Sequence, residues 1–240
     1  MAFGKNGSPP ALLWKTQVSE LFFGISDNDL LRQSFAELFQ PVVRITARTV
    51  DLKLCSLLLV DEEREELWVC STHPANSYYS KKPPIKIWEG ISGRALQEQR
   101  TIQVADVSKA PDFRYPEVAR KEGLVSLVTS PIKVNGRALG VLNGYSSQPR
   151  QFNSDDCTIF EVMTNQAGIV IECELLRREM VVLKNKLKQT EVVAHAKTLL
   201  MEKKGLNEDE AYRFLRNTSM ASHCPLAEIA RDVIQSYASS

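Results

Sequence analysis

From Ser154 to Lys204 the chain runs for about fifty residues with no proline and a single glycine, Gly168. Such a stretch reads as one helix, roughly 75 Å long at 1.5 Å per residue. A rod of that length outgrows a small domain, so it splits the sequence into a leading part, the rod itself and a trailing part. Along it Ile169, Cys173, Leu176, Met180, Leu183 and Leu187 alternate four and three apart, the a/d spacing of a coiled-coil seam. The competing reading is a helix that buries this stripe in its own domain. Arg177, Arg178, Lys184, Lys186 and Lys188 flank it and leave only a narrow apolar strip, which favours a partner helix. Leu176, Met180, Leu183 and Leu187 are therefore the expected dimer seam of a homodimer.

Ahead of the rod the hydrophobic period changes several times. Residues 1–26 read as an N-terminal extension, with Gly, Ser and the pair Pro9-Pro10 before any periodic segment. Ser26-Asp27-Asn28-Asp29 is a helix-start signature, followed by Leu30, Leu31, Phe35, Leu38, Phe39, Val42 and Val43 at helical spacing. Pro41 falls inside that pattern and predicts a kink or break. Leu54–Val60 and Glu66–Ser71 then read as an antiparallel pair joined by a turn, and 73–84 as a polar loop. Strand-like runs return at Ile85–Trp88, Ile102–Val104, Val125–Val134 and Ala138–Tyr145, with short helices at Gly90–Gln99 and Pro116–Glu122. Asn135-Gly136 is a strong hairpin signal, because both central residues of a type I′ turn need positive φ. Strands mixed with helices without βαβ alternation predict an α+β domain around an antiparallel sheet.

Gly205 ends the rod, and Asn207-Glu208-Asp209-Glu210 spells a capping box that opens a second helix running to about Ser222. Pro225 suits the first turn of a third helix carrying Leu226, Ile229, Ala230, Val233 and Ile234. A long coiled-coil-like helix thus leads into an all-α three-helix bundle. A chain of 240 residues accommodates both parts. No run of eighteen uncharged apolar residues exists to span a membrane, and the N-terminus lacks the apolar core of a signal peptide. The five cysteines are scattered, which reads as reduced thiols of a cytoplasmic protein, neither a disulfide frame nor a zinc site. Net charge is +1. From Arg177 onward eleven Lys/Arg stand against eight Asp/Glu, or +3, which leaves about −2 for the rest.

The third part resembles the ANTAR domain. The carriers are His195-Ala196-Lys197-Thr198-Leu199-Leu200-Met201-Glu202-Lys203-Lys204-Gly205-Leu206, then Glu208-Asp209-Glu210-Ala211-Tyr212-Arg213-Phe214-Leu215-Arg216, then Leu226-Ala227-Glu228-Ile229-Ala230. Thr198 stands where the family often has glycine, and Ser219 where it often has alanine. The resemblance implies binding to paired hairpins of a nascent leader RNA, which keeps an intrinsic terminator from forming and makes or breaks no bond. Lys197, Arg216, Arg213, Lys203, Lys204 and Arg231 are the available cations for phosphates, and Tyr212 a candidate platform for a splayed base. Lys197 and Arg216 occupy matched motif positions. The expected boundaries are 177–240 for this ANTAR-like domain and 27–176 for the domain before it.

Residues 27–176 resemble a GAF domain. The motifs are Pro84-Ile85-Lys86-Ile87-Trp88-Glu89-Gly90-Ile91-Ser92-Gly93-Arg94-Ala95-Leu96, Val104-Ala105-Asp106-Val107, Gly123 to Ile132, and Arg137-Ala138-Leu139-Gly140-Val141-Leu142. GAF-like domains commonly enclose a small molecule on one face of the sheet. A small-molecule effector of unknown identity is the corresponding expectation, with Trp88, Phe113, Leu127, Thr129, Tyr78 and Tyr79 as candidate lining. Plain core packing is the competing reading for each. No catalytic or metal-ligating residue is assigned. Two rival functions remain: a DNA-binding regulator using the last two helices, and a GAF-type thiol enzyme. The second needs an exposed, acidic cysteine, whereas Cys55 and Cys70 fall in strand runs.

Overall fold

The computed structural model describes residues 29–238. The N-terminal extension and the Ser26–Asn28 part of the helix-start signature lie outside the described residues. The chain divides into two compact units, with the division between Leu175 and Leu176.

The first unit opens with α1 (Asp29–Thr49). Pro41 does not break it. That position is exposed, so the carbonyls freed by the missing N–H reach water, and Phe39, Val42 and Val43 hold the helix on the core from both sides. Six strands follow: β1 (Leu54–Asp61), β2 (Glu66–His73), β3 (Ile85–Lys86), β4 (Ile102–Val104), β5 (Ser126–Val134) and β6 (Arg137–Ser146). They form one antiparallel sheet in the order β3-β2-β1-β6-β5-β4. Asn135 and Gly136 take φ of 49° and 77° in the β5–β6 turn, as the sequence predicts.

Strand alternation gives the sheet two core faces. Cys55, Leu57 and Leu59 of β1 pack with Phe35 and Phe39 of α1 and with Phe160 and Ile171 of α4 (Ser154–Lys204). The opposite face carries Leu54, Leu127 and Tyr145, covered by α2 (Gly90–Glu98) and α3 (Pro116–Glu122). A reciprocal cap fixes the start of α4: Asn153 Oδ1 accepts from the Asp156 amide at 2.8 Å, and Asp156 Oδ2 accepts from the Asn153 amide at 3.1 Å. The lone glycine of this helix also has a reason. A Cβ on Gly168 would stand 2.8 Å from the Lys133 carbonyl, so only glycine lets α4 approach β5 this closely.

On α4 the buried row is Phe160, Thr164, Ala167, Ile171 and Leu175. The stripe read from the sequence lies on the opposite face: Ile169, Leu176, Met180, Leu183 and Leu187 are 51–63% exposed, and Cys173 is exposed. The stripe is therefore not the domain's own core.

The second unit is a bundle of the last turns of α4 with α5 (Glu208–Ser222) and α6 (Leu226–Ala238). Its core is small: Ala196, Leu200, Ala211, Leu215, Ile229 and Ala230 are buried, with Val193 and Leu226 packed against them. The capping box at Asn207 is present with both of its hydrogen bonds.

Candidate nucleic-acid interface and sheet cavity

Burial of Ala211 and Leu215 fixes the orientation of α5, and the 100° step of the helix then places every other side chain on it. Tyr212 and Arg216, one turn apart, fall on one flank. Phe214 falls on the other, where Lys204 Nζ sits 4.4 Å above its ring. Tyr212 is 41% exposed and Arg216, like Arg213 between them, is exposed. Arg213 Nε donates to the Asp209 carbonyl at 3.3 Å. Lys203, in the last turn of α4, and Arg231, on α6, are also exposed.

Lys197 is placed differently. Its ammonium donates to Glu208 Oε1 at 2.6 Å, and its side chain is only 23% exposed. That hydrogen bond and the Lys197 charge hold the Glu208 carboxyl below the usual range. The charge assigned first to phosphate is thus paired with a carboxylate at the bundle surface. Lys197 still edges a groove of about 550 Å³ whose walls include Lys186, Thr190, Tyr212, Pro225 and Leu226. Tyr212 and Lys197 therefore come together, whereas Lys204 lies on the Phe214 side. Sequence reasoning missed Lys186 as part of this groove. The signal was there: Lys186, Thr190, Val193 and Lys197 succeed one another by four, three and four residues, a single line on a helix.

In the first unit the face under α2 holds a closed polar cluster. The Tyr79 and Tyr145 hydroxyls are 3.1 Å apart, with ring centroids at 5.4 Å, and Phe113 meets Tyr145 edge-on. Asn143 Nδ2 donates to Ser92 Oγ at 3.0 Å and to the Tyr79 hydroxyl at 3.4 Å. Burial pushes the Tyr145 phenol well above its ordinary range, and the neighbouring Tyr79 adds to it. Tyr79, Ser92, Phe113 and Tyr145 border a cavity of about 30 Å³, room for about one water and far below the few hundred Å³ of a small-molecule pocket.

Of the six predicted lining residues, Tyr79, Phe113 and Leu127 border this cavity. Trp88, Tyr78 and Thr129 do not. Trp88 sits in the turn before α2 and is 52% exposed. Tyr78 opens the 3₁₀ turn Tyr78–Lys81; adjacent residues there point about 120° apart, so only Tyr79 turns inward. Lys121 Nζ lies 4.3 Å over the outward Tyr78 ring. Thr129 is buried beside its β-partner Asn143 but lines no part of the cavity. Asn143 and Tyr145 were missed, although Val141, Asn143 and Tyr145 alternate along one strand and a polar residue in such a row points to a packed polar contact.

Comparison with known families now decides the architecture. The GAF domain family model matches residues 34–171, and the ANTAR domain family model matches residues 182–234. The chain belongs to the GAF family, with an ANTAR domain after it. A GAF domain from a phosphoenolpyruvate-protein phosphotransferase of Coxiella burnetii is 19% identical with a TM-score of 0.54, covering 71% of this chain and 99% of that one. A GAF domain/HD domain protein from Geobacter sulfurreducens is 13% identical with a TM-score of 0.50, covering 66% of this chain and 98% of that one. At these identities the likeness shows the fold alone. No curated protein matches the chain at a significant level.

A GAF domain is a sensor domain and an ANTAR domain is an RNA-binding domain of antitermination regulators, so the architecture is that of a regulator. Among the described residues no helix is long and apolar enough to cross a membrane, and no group of three or more His, Cys, Asp or Glu could hold a metal ion. Within the GAF domain Cys55 and Cys70 are buried, and burial pushes both thiols far above the range in which a thiolate forms at neutral pH. Iodoacetamide applied to the native protein is expected to spare both and to reach them only after unfolding. Alkylation of Cys55 or Cys70 in the native protein at the rate seen in urea, read by peptide mass spectrometry, would return the thiol-enzyme reading to contention. In the ANTAR domain Ser219, where the family often has alanine, donates to the Cys224 carbonyl at 2.6 Å and so ties the end of α5 to the loop before α6.

Proposed function

We propose that this chain is a signal-responsive homodimer that binds paired hairpins in a nascent leader RNA through its ANTAR domain and thereby prevents formation of a terminator. The observation that carries this reading is the outward face of α5. Tyr212, Arg213 and Arg216 stand exposed there beside the groove edged by Lys186, on a bundle whose core is complete without them. Two guanidinium groups and a part-exposed aromatic ring outside the bundle core suit phosphate and base contacts to a hairpin loop. Lys203, Lys204 and Arg231 extend the positive surface, and Lys197 acts as a reserve charge held by Glu208. The GAF domain takes the sensor role, with Tyr79, Phe113 and Leu127 around the place an effector would occupy.

Three variants test the face. Arg216→Ala is expected to weaken RNA binding by about 10- to 100-fold, the loss of a charge-assisted contact. Lys197→Ala has a smaller effect, because its charge is already matched. Glu208→Gln releases that charge, strengthens binding, and steepens the log–log salt dependence by roughly 0.7–0.9 per bundle. Gel shifts against a pool of two-hairpin RNAs with randomised loops, and against duplex DNA of matching sequence, provide the measurement. Preference for the duplex would replace this reading with the DNA-binding one. RNA binding untouched by Arg216→Ala would move the interface to another face.

A further inference from the structure

The cavity under α2 and α3 is cationic at its mouth and uncharged within. Of the residues that border it, Lys82 and Arg114 alone carry a formal charge. The nearby carboxylates are engaged. Glu89 pairs with Arg114 at 3.4 Å and Asp112 with Arg94 at 2.9 Å. Glu122 accepts from the Tyr79 amide at 3.2 Å and from the Tyr78 amide. Lys82 is left over. Its ammonium lies 5.0 Å from the centre of the Tyr79 ring and 5.0 Å from that of Tyr115. Among the described residues no carboxylate pairs with it and no acceptor takes its N–H groups. Ring faces attract a cation through their quadrupole but offer its three donors no lone pair.

Behind Tyr79 and Tyr145 the interior is polar. Ser56 on β1 and Thr129 on β5 each stand directly opposite Asn143 of β6, so the three side chains share one face of the sheet. Ser56 and Thr129 are fully buried, and no protein group pairs with either hydroxyl. Buried hydroxyls in native interiors nearly always find a partner. Asn143 itself donates to Ser92 Oγ and the Tyr79 hydroxyl. This floor can pair with a hydroxyl or an amide and presents nothing to neutralise a charge.

We propose that the effector is a small organic acid with one carboxylate and an uncharged polar tail, the carboxylate held by Lys82 at the mouth and the tail by the hydroxyl floor. This inference rests on the sensor reading above and adds the chemistry of what is sensed. One carboxylate matches the one cation without a partner. A cationic effector would meet Lys82 and Arg114, and a second anionic group would be desolvated against uncharged walls without compensation. The same turn links recognition to opening. Lys82 caps the 3₁₀ turn Tyr78–Lys81, its amide donating to the Tyr79 carbonyl at 3.2 Å. A carboxylate that draws Lys82 away from the two rings therefore pulls on the residue whose ring closes the cavity.

Matched probes that differ only in charge test this in the full-length protein. Propionate, propionamide and propylamine form one triplet, and benzoate, benzamide and benzylamine another, each with and without a hydroxyl at the far end. Binding is read by isothermal titration calorimetry and by the rise in unfolding temperature that a ligand of the native state produces. A hydroxylated acid is expected to bind at least about tenfold tighter than its amide, and the amine not at all. Lys82→Gln is expected to bring acid and amide within about threefold of each other and to leave the amide's affinity unchanged, whereas Lys82→Arg keeps the preference. Thr129→Val is expected to keep or raise the unfolding temperature of the free protein while removing the advantage of the far-end hydroxyl. An acid preference that survives Lys82→Gln, or amides or amines bound in place of acids, would overturn this chemistry and leave the sensor reading standing. No response to any charge type would overturn both.

Discussion

Replacing Phe160 by alanine is expected to lower the stability of the GAF domain by about 3–5 kcal/mol, the range for a fully buried phenylalanine. Phe160 is wholly buried and its ring rests on the sheet at Gly144, where a Cβ would overlap it. Around it Phe35, Phe39, Leu57 and Leu142 belong to the same core cluster. Truncation leaves a void that the backbones of α4 and β6 cannot close without losing the contacts on either side. The natural probe is tryptophan fluorescence. All three tryptophans, Trp14, Trp68 and Trp88, lie before the ANTAR domain, and Trp68 is buried in this same cluster. Urea unfolding monitored at Trp68 should shift to lower denaturant, while α5 and α6 keep their helical signal. A loss under about 1 kcal/mol would mean that this end of α4 is held by something other than the Phe160 row.

Leu183→Asp is expected to dissociate the dimer and leave a folded monomer. Leu183 is 57% exposed in the single chain, so its removal costs the monomer little. In the dimer it contributes one apolar side chain from each copy, worth about 1.5–3 kcal/mol apiece when buried. The loss is therefore about 3–6 kcal/mol per dimer, or about 10²- to 10⁴-fold in dissociation constant, before any repulsion between the two carboxylates. Sedimentation equilibrium reads the constant, and circular dichroism checks that helix content is kept. A dimer of undiminished strength would place the interface on another surface.

Much of this architecture was legible because it is written in periodicity and punctuation. The proline-free run gives α4, Asn207 and Glu210 give the start of α5, and Asn135-Gly136 gives the β5–β6 hairpin. The opposed faces of α4 could be told apart only in three dimensions. Phe160, Ala167 and Ile171 form a helical row as regular as Ile169, Leu176 and Leu183, and only the sheet decides which is inside. Pro41 does not end α1 for a related reason: a missing hydrogen bond is harmless where the freed carbonyl meets water. Site residues were less legible still. The Lys197–Glu208 pair joins residues eleven apart on two helices, so the motif position of Lys197 says nothing about its neutralised charge. Tyr78 and Tyr79 are indistinguishable in sequence, and the 3₁₀ turn sends one out and the other in.

The closed cluster of Tyr79, Tyr145 and Phe113 has a kinetic consequence. With about one water's worth of space between them, an effector of the kind proposed would enter only after the rings part and the Tyr79–Tyr145 hydroxyl contact breaks. Its apparent dissociation constant is then the intrinsic one divided by the fraction of time the cluster stands open. Raising effector concentration cannot accelerate association beyond the opening rate of the domain. A stopped-flow trace would level off at a plateau set by the protein rather than rise linearly with dose, so the speed of the response would be built into the packing of three aromatic rings.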